Sequence, residues 1–214
     1  MSSPINRRPL KTRSNNLAVS FAKWISSKNI TPNQISILSI VAAAIASYCL
    51  LQSKSGELRA LWLIASIAFI QGRLLCNLLD GMVAVEGGKG TPAGELFNDV
   101  PDRIADSLIL IALGYTVNAP ILGWFAALMA MMTAYVRTLA TSTGAPTSFT
   151  GPMAKPHRMA LISVACLISC FELHFAKLGT VLYGSLIILI IGSALTVYRR
   201  TSMAYKYLES SVND

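Results

Sequence analysis

Six stretches of about 20 mostly apolar residues, near 33 to 53, 58 to 83, 94 to 117, 119 to 143, 156 to 173 and 178 to 199, leave this chain very few ways to fold. Each is long enough to cross a hydrocarbon core of about 30 Å as a helix. In hydrocarbon the backbone must satisfy its own hydrogen bonds, so only helices and closed barrels span a bilayer. Continuous apolar runs without a two-residue alternation argue against a barrel. The expectation is an all-α integral membrane protein, a six-helix bundle. With 214 residues, 53% of them hydrophobic and 13% charged, the chain has no room for a separate soluble domain. The predicted organisation is a basic arm and juxtamembrane amphipathic helix over 1–31, a six-span domain over 32–200 and a cytoplasmic tail over 201–214.

The net charge of +8 raises the possibility of a nucleic acid partner, and the placement of the charge removes it. Of the 18 basic residues, twelve (Arg7, Arg8, Lys11, Arg13, Lys23, Lys28, Lys89, Lys155, Arg158, Arg199, Arg200 and Lys206) fall on the side shared by both termini. The opposite loops hold only Lys54, Arg59 and Lys177, while Arg73, Arg103 and Arg137 lie within apolar segments. Positive-inside asymmetry places both termini in the cytoplasm. The basic N-terminal arm meets no acidic residue before Glu57, so its expected partner is an anionic lipid bilayer. Leu17, Phe21, Trp24 and Ile25 recur at helical spacing beside Lys23 and Lys28, as in an interfacial helix. No short apolar stretch with a small-residue cleavage site precedes it, so a removable signal peptide is not expected. Cys49, Cys76, Cys166 and Cys170 lie inside apolar segments and read as reduced, packed thiols.

Acidic residues are not spread evenly. Six of the ten (Asp80, Glu86, Glu95, Asp99, Asp102 and Asp106) lie between positions 80 and 106. Carboxylates beside hydrocarbon are costly and mark function. Asn77 and Asp80 are three apart, Asn98 and Asp102 four apart, so each pair shares one helix face. Gly81 and Gly94 flank the junction and permit close approach of a backbone or ligand. The loop Glu86-Gly87-Gly88-Lys89-Gly90-Thr91-Pro92 is no P-loop, because Val83 and Gly90 stand where that pattern needs a glycine and a hydroxyl.

With Asp80, Gly81, Ala84, Gly94 and Asp102 in register, this segment resembles the CDP-alcohol phosphotransferase signature D-x-x-D-G-x-x-A-R, about eight residues, G-x-x-x-D-x-x-x-D. Thr31-Pro32-Asn33-Gln34 before the first span, Thr91 before Gly94, and Tyr135-Val136-Arg137 ending the fourth are similar to family positions too. The resemblance implies six spans behind a juxtamembrane helix, a homodimer, and transfer of a phosphatidyl group from CDP-diacylglycerol to a polar alcohol acceptor with release of CMP. It implies one or two divalent metals, Mg²⁺ or Mn²⁺, held at Asn77, Asp80, Asn98 and Asp102, with Asp102 as general base. Substrate contacts carried over with it fall on Asn33, Gln34, Gly81, Ala84, Thr91, Gly94, Arg137, Lys155 and Arg158.

Three positions depart from that signature: Asn77 and Asn98 replace aspartates, and Val85 replaces the arginine. An asparagine oxygen still coordinates a hard cation but brings no charge, so weaker metal binding is expected. Magnesium manages with one or two carboxylates plus substrate phosphates, so Asp80 and Asp102 suffice once a diphosphate is bound. Partial burial of Asp102 would raise its pKa and a metal would lower it.

The remaining polar residues carry two readings each. Arg137 either binds substrate phosphate or pairs with Asp99 or Asp106, and Arg73 invites the same pair of roles, with a structural pair favoured. Lys155-Pro156-His157-Arg158 opens a helix, where cations and a helix N-terminus favour anions such as glycerol 3-phosphate or inositol phosphate. Membrane anchoring explains the same residues. Two rival functions are a proton-coupled transporter and a family member that has lost catalysis and serves as a binding or assembly partner. Transporters usually carry more spans in paired halves. The retained Asp80, Gly81, Gly94 and Asp102 argue for an enzyme.

Overall fold

The computed structural model describes residues 30–54, 56–86, 88–89, 93–172 and 178–210, together with 20, 24, 27 and 28. The proposed juxtamembrane helix and Thr91 lie largely or wholly outside these residues. Among them the structure is all-α: α1 (Pro32–Gln52), α2 (Arg59–Glu86), α3 (Gly94–Thr116), α4 (Pro120–Ser142), α5 (Lys155–Ser169) and α6 (Thr180–Ser210). Four of these, α1, α2, α4 and α6, are long and apolar enough to cross a membrane. The other two differ for stated reasons: α3 carries Asp99, Asp102, Arg103 and Asp106, and α5 has only 15 residues.

Local chemistry sets the helix starts. Thr31 Oγ1 accepts from the Gln34 amide while Gln34 Oε1 accepts from the Thr31 amide, a capping box, and Pro32 follows in the first turn. The helices close into a ring in which α1 packs on α2 and α3, α4 on α3 and α6, and α5 on α2 and α6. Leu50, Leu63, Ile109, Leu113, Ile162 and Leu186 fill its apolar interior. Between α3 and α4 the backbones touch: a Cβ on Gly114 would lie 2.6 Å from the Cα of Gly123. Only glycine fits this crossing.

Two ends depart from the sequence expectation. The final helix continues to Ser210, well past the predicted end at 199, because apolarity stops at the headgroups while helical hydrogen bonding does not. The fifth ends at Ser169 instead of 173, since the chain turns there. Glu172, fully buried, accepts from the Gly179 and Val181 amides at the start of α6 and pairs with Arg59 of α2 at 3.0 Å. This clamp joins α2, α5 and α6 at one end of the ring.

At the other end a polar core replaces the apolar one. Asp106 of α3, buried, accepts from Arg73 of α2 at 2.6 Å and from Arg158 of α5 at 2.7 Å. Arg158 also donates to Thr133 Oγ1 of α4 at 3.2 Å, and the Thr133 carbonyl accepts from Arg200 of α6 at 2.6 Å. Five helices meet in one hydrogen-bonded chain. Removing one member of a buried pair leaves the others uncompensated, at about 3–5 kcal/mol. Asp106→Ala is therefore expected to lower the thermal unfolding temperature in detergent far more than Asp99→Ala, whose pair is half exposed. Gly123→Ala forces the α3–α4 crossing apart and is expected to destabilise by about 1–3 kcal/mol, read by the same melt.

Candidate active site

The site lies where α2 ends and α3 begins, and the ring brings α1 and α5 to it. Asp80, three residues beyond Asn77 on α2, is buried; its Oδ2 accepts from Ser36 Oγ of α1 at 2.7 Å and its Oδ1 from the Gly81 amide. Asn77 Nδ2 reaches across to Asp102 Oδ1 on α3 at 2.6 Å. Asp102, 5% exposed, follows Pro101, which cannot donate to the Phe97 carbonyl and so interrupts the helix ladder beside it. Asp80 is within electrostatic reach of both Asp102 and Lys155.

Cations crowd Asp102. The ammonium of Lys155 contacts its Oδ2, Arg103 lies 3.7 Å from the same oxygen, and Arg73 lies 3.6 Å from Oδ1. The loop between α4 and α5 fixes Lys155: Gly151 has φ +128° and sits against Thr196, whose hydroxyl accepts from the Met153 amide at 3.1 Å. A side chain at Gly151 would meet Thr196 at 2.4 Å, so the approach depends on glycine. Counting the Asp106 pair, four cationic side chains meet two carboxylates among the described residues. Arg73 Nε and Nη1 and Arg158 Nε are buried without hydrogen-bond partners there. Buried donors without partners are costly and are normally met by water or an anion.

The predicted residues divide into three groups. Asn77, Asp80, Asp102 and Lys155 converge, with Arg158 one contact away through Asp106. Arg137 takes the ion-pair alternative, donating to both oxygens of Asp99 at 2.9 and 3.1 Å, with Phe149 against its guanidinium at 5.7 Å from the ring centroid. It also lines a cavity of about 240 Å³ together with Arg200, Lys206, Ser148 and Tyr207. Asn98 is exposed, and no hydrogen bond among the described residues joins it to the cluster. Gln34 is engaged in the helix cap, while Asn33, Gly81, Ala84 and Gly94 are half-buried near the helix ends.

Sequence reasoning missed Ser36, Arg103 and Thr133. Ser36 had a signal only in its place: it lies three residues after Asn33, on a face shared with Ser39 and Ala43. Arg73 pairs with Asp106 and Asp102, the structural role favoured for it.

Among the described residues no three His, Cys, Asp or Glu side chains come together as a metal cage. The oxygens available are those of Asp80 and Asp102 with the Asn77 amide oxygen. Two carboxylates and a neutral oxygen fit Mg²⁺ or Mn²⁺, hard cations that complete their shells with phosphate oxygens and water.

Residues 29–199 match the family model described as CDP-alcohol phosphatidyltransferase. Archaetidylinositol phosphate synthase of Pyrococcus horikoshii is 30% identical over 190 residues, covering 87% of this chain and 90% of that protein. The fold is shared with phosphatidylinositol phosphate synthase of Mycobacterium tuberculosis. Its crystal structure with CDP-DAG bound has a TM-score of 0.75 at 19% identity over 89% of this chain and 94% of that one. A second crystal structure of it, with manganese and citrate, has a TM-score of 0.73 at 19% identity over 88% of each chain. The chain belongs to the CDP-alcohol phosphatidyltransferase family, a family of transferases of phospholipid synthesis.

Proposed function

We propose that this protein transfers a phosphatidyl group from CDP-diacylglycerol to a phosphorylated polyol of the inositol phosphate type, releasing CMP. The observation that carries the reading is the convergence of Asp80 and Asp102, the carboxylates in register with the signature, beside a surplus of buried cations. A diphosphate is the ligand such a surplus suits, and the synthases similar to this chain act in inositol phosphate lipid synthesis. In this reading all six helices cross the membrane, with α3 and α5 protected by their neighbours in the ring. Both termini and the site face the cytoplasm, supported by the distribution of basic residues. Homodimerisation rests on the family resemblance.

Asp102 takes the proton from the acceptor hydroxyl. The oxygen then bonds to the phosphorus carrying diacylglycerol, and the bond from that phosphorus to the CMP oxygen breaks, CMP leaving with the electron pair. Asn77 and Lys155 hold the Asp102 carboxylate from both sides and fix where its remaining lone pairs point. Ser36 does the same for Asp80. Asp80, Asp102 and the Asn77 oxygen would hold a Mg²⁺ or Mn²⁺ ion, which would supply charge compensation for the diphosphate. Arg137, Arg200 and Lys206 surround the 240 Å³ cavity and suit the acceptor's phosphate.

Purified protein given CDP-diacylglycerol, Mn²⁺ and inositol phosphate should release CMP; no CMP with any polar alcohol would favour the assembly-partner reading. Asp102→Asn should lower that rate by at least about 100-fold, the usual share of a general base. Because half of the signature's carboxylates are absent, the half-saturating Mg²⁺ concentration should fall as CDP-diacylglycerol is raised. A value independent of the lipid would contradict recruitment of the metal with substrate.

A further inference from the structure

We propose that Lys155 is a built-in cation of the metal site, so that this chain holds one divalent ion, on Asp80 and Asp102, and no second. The proposal rests on the metal-dependent reading above, and three observations carry it.

Both oxygens of Asp102 are already engaged from different helices. Oδ1 accepts from Asn77 Nδ2 at 2.6 Å, and Oδ2 is in contact with Lys155 Nζ, with Arg103 at 3.7 Å. A first ion can share these oxygens, since a carboxylate offers about four lone-pair sites. A second ion on Asp102 would have to displace Lys155.

Charge points the same way. Asp106 is committed to Arg73 and Arg158, and Asp99 to Arg137, so neither is spare. Asn77 and Asn98 are neutral, which leaves Asp80 and Asp102. With the Lys155 ammonium present, one divalent ion turns this small group net positive by one charge, ready for a diphosphate. A second would raise the surplus to three in a buried, weakly screened setting.

The ammonium is also placed by the backbone instead of arriving on a free tether. Lys155 is the first residue of α5, the Arg158 amide donates to the Ala154 carbonyl at 3.1 Å, and the preceding turn is seated on Thr196 through Gly151 and Met153. Its side chain is only 20% exposed. A lysine merely anchoring the chain at headgroups would point its ammonium to water.

Mn²⁺ alone, titrated into the full chain in lipid nanodiscs and followed by the paramagnetic resonance of free ion, tests this without requiring turnover. The wild type should hold no more than one ion per chain. Lys155→Met should bind Mn²⁺ at least about tenfold more tightly or take up a second ion, because a neighbouring positive charge has gone. Lys155→Arg, which restores the charge, should return to the wild-type curve, separating charge from packing. Two ions per wild-type chain, or a Lys155→Met protein that neither binds Mn²⁺ more tightly nor takes up a second ion, would overturn the proposal. Neither result depends on CMP release, so a failed transferase assay and a failed metal assignment are distinguishable.

Discussion

The Asp106 carboxylate, shared between Arg73 and Arg158, is the contact on which the rest of this bundle depends. In water such a triad would contribute little. Here it is sealed among helices, where each charge left alone would be prohibitive and each pairing fixes the relative height and rotation of two helices. Through Thr133 and Arg200 the same network reaches α4 and α6, so the mutual register of five helices is set by one polar chain. Apolar packing alone would not fix it, because residues such as Leu and Ile slide past each other at small cost. The Arg59–Glu172 clamp pins the opposite end, leaving the ring held at both extremities with hydrocarbon-like filling between.

That arrangement explains how acidic residues in one short stretch come to have different duties. Asp106 looks inward to two arginines, Asp99 outward to Arg137, and Asp102 toward Asn77 and Lys155. The separation is geometric: residues four apart on α3 stack on one face, so Asp102 and Asp106 both face the interior and differ only in depth. Asp99 sits about 100° around from Asn98 and meets α4 instead. Depth then decides the partners, since the inner carboxylate is held by two guanidinium groups and the outer one by an amide and an ammonium.

Much of this was legible in the sequence. Apolar runs of about 20 residues located all six helices, and glycine and aspartate spacing marked the junction of α2 and α3 where the polar cluster lies. Helix ends were less legible, as α6 and α5 show: a helix leaves the bilayer without stopping when nothing breaks its hydrogen bonds, and stops early when Glu172 is needed to cap its successor. Partners across helices were least legible. That Arg137 chooses Asp99, that Ser36 braces Asp80, and that Lys155 lies on Asp102 depend on rotation of helices about their axes, which periodicity in a nearly uniform apolar helix does not report. Asn98 marks the same limit, for its register with the signature is intact while its side chain is exposed.

The two asparagines and the cationic surroundings are best understood together. Had Asn77 been an aspartate, its charge would have opposed Asp102 at hydrogen-bond distance in a poorly screened place. With an amide there, the Asn77 side chain donates a hydrogen bond to the very carboxylate it would otherwise repel. The positive character of the cluster comes from Arg73, Arg103 and Lys155. Three cations around one carboxylate leave the polar end of the bundle with positive charge that no acidic side chain of the cluster offsets.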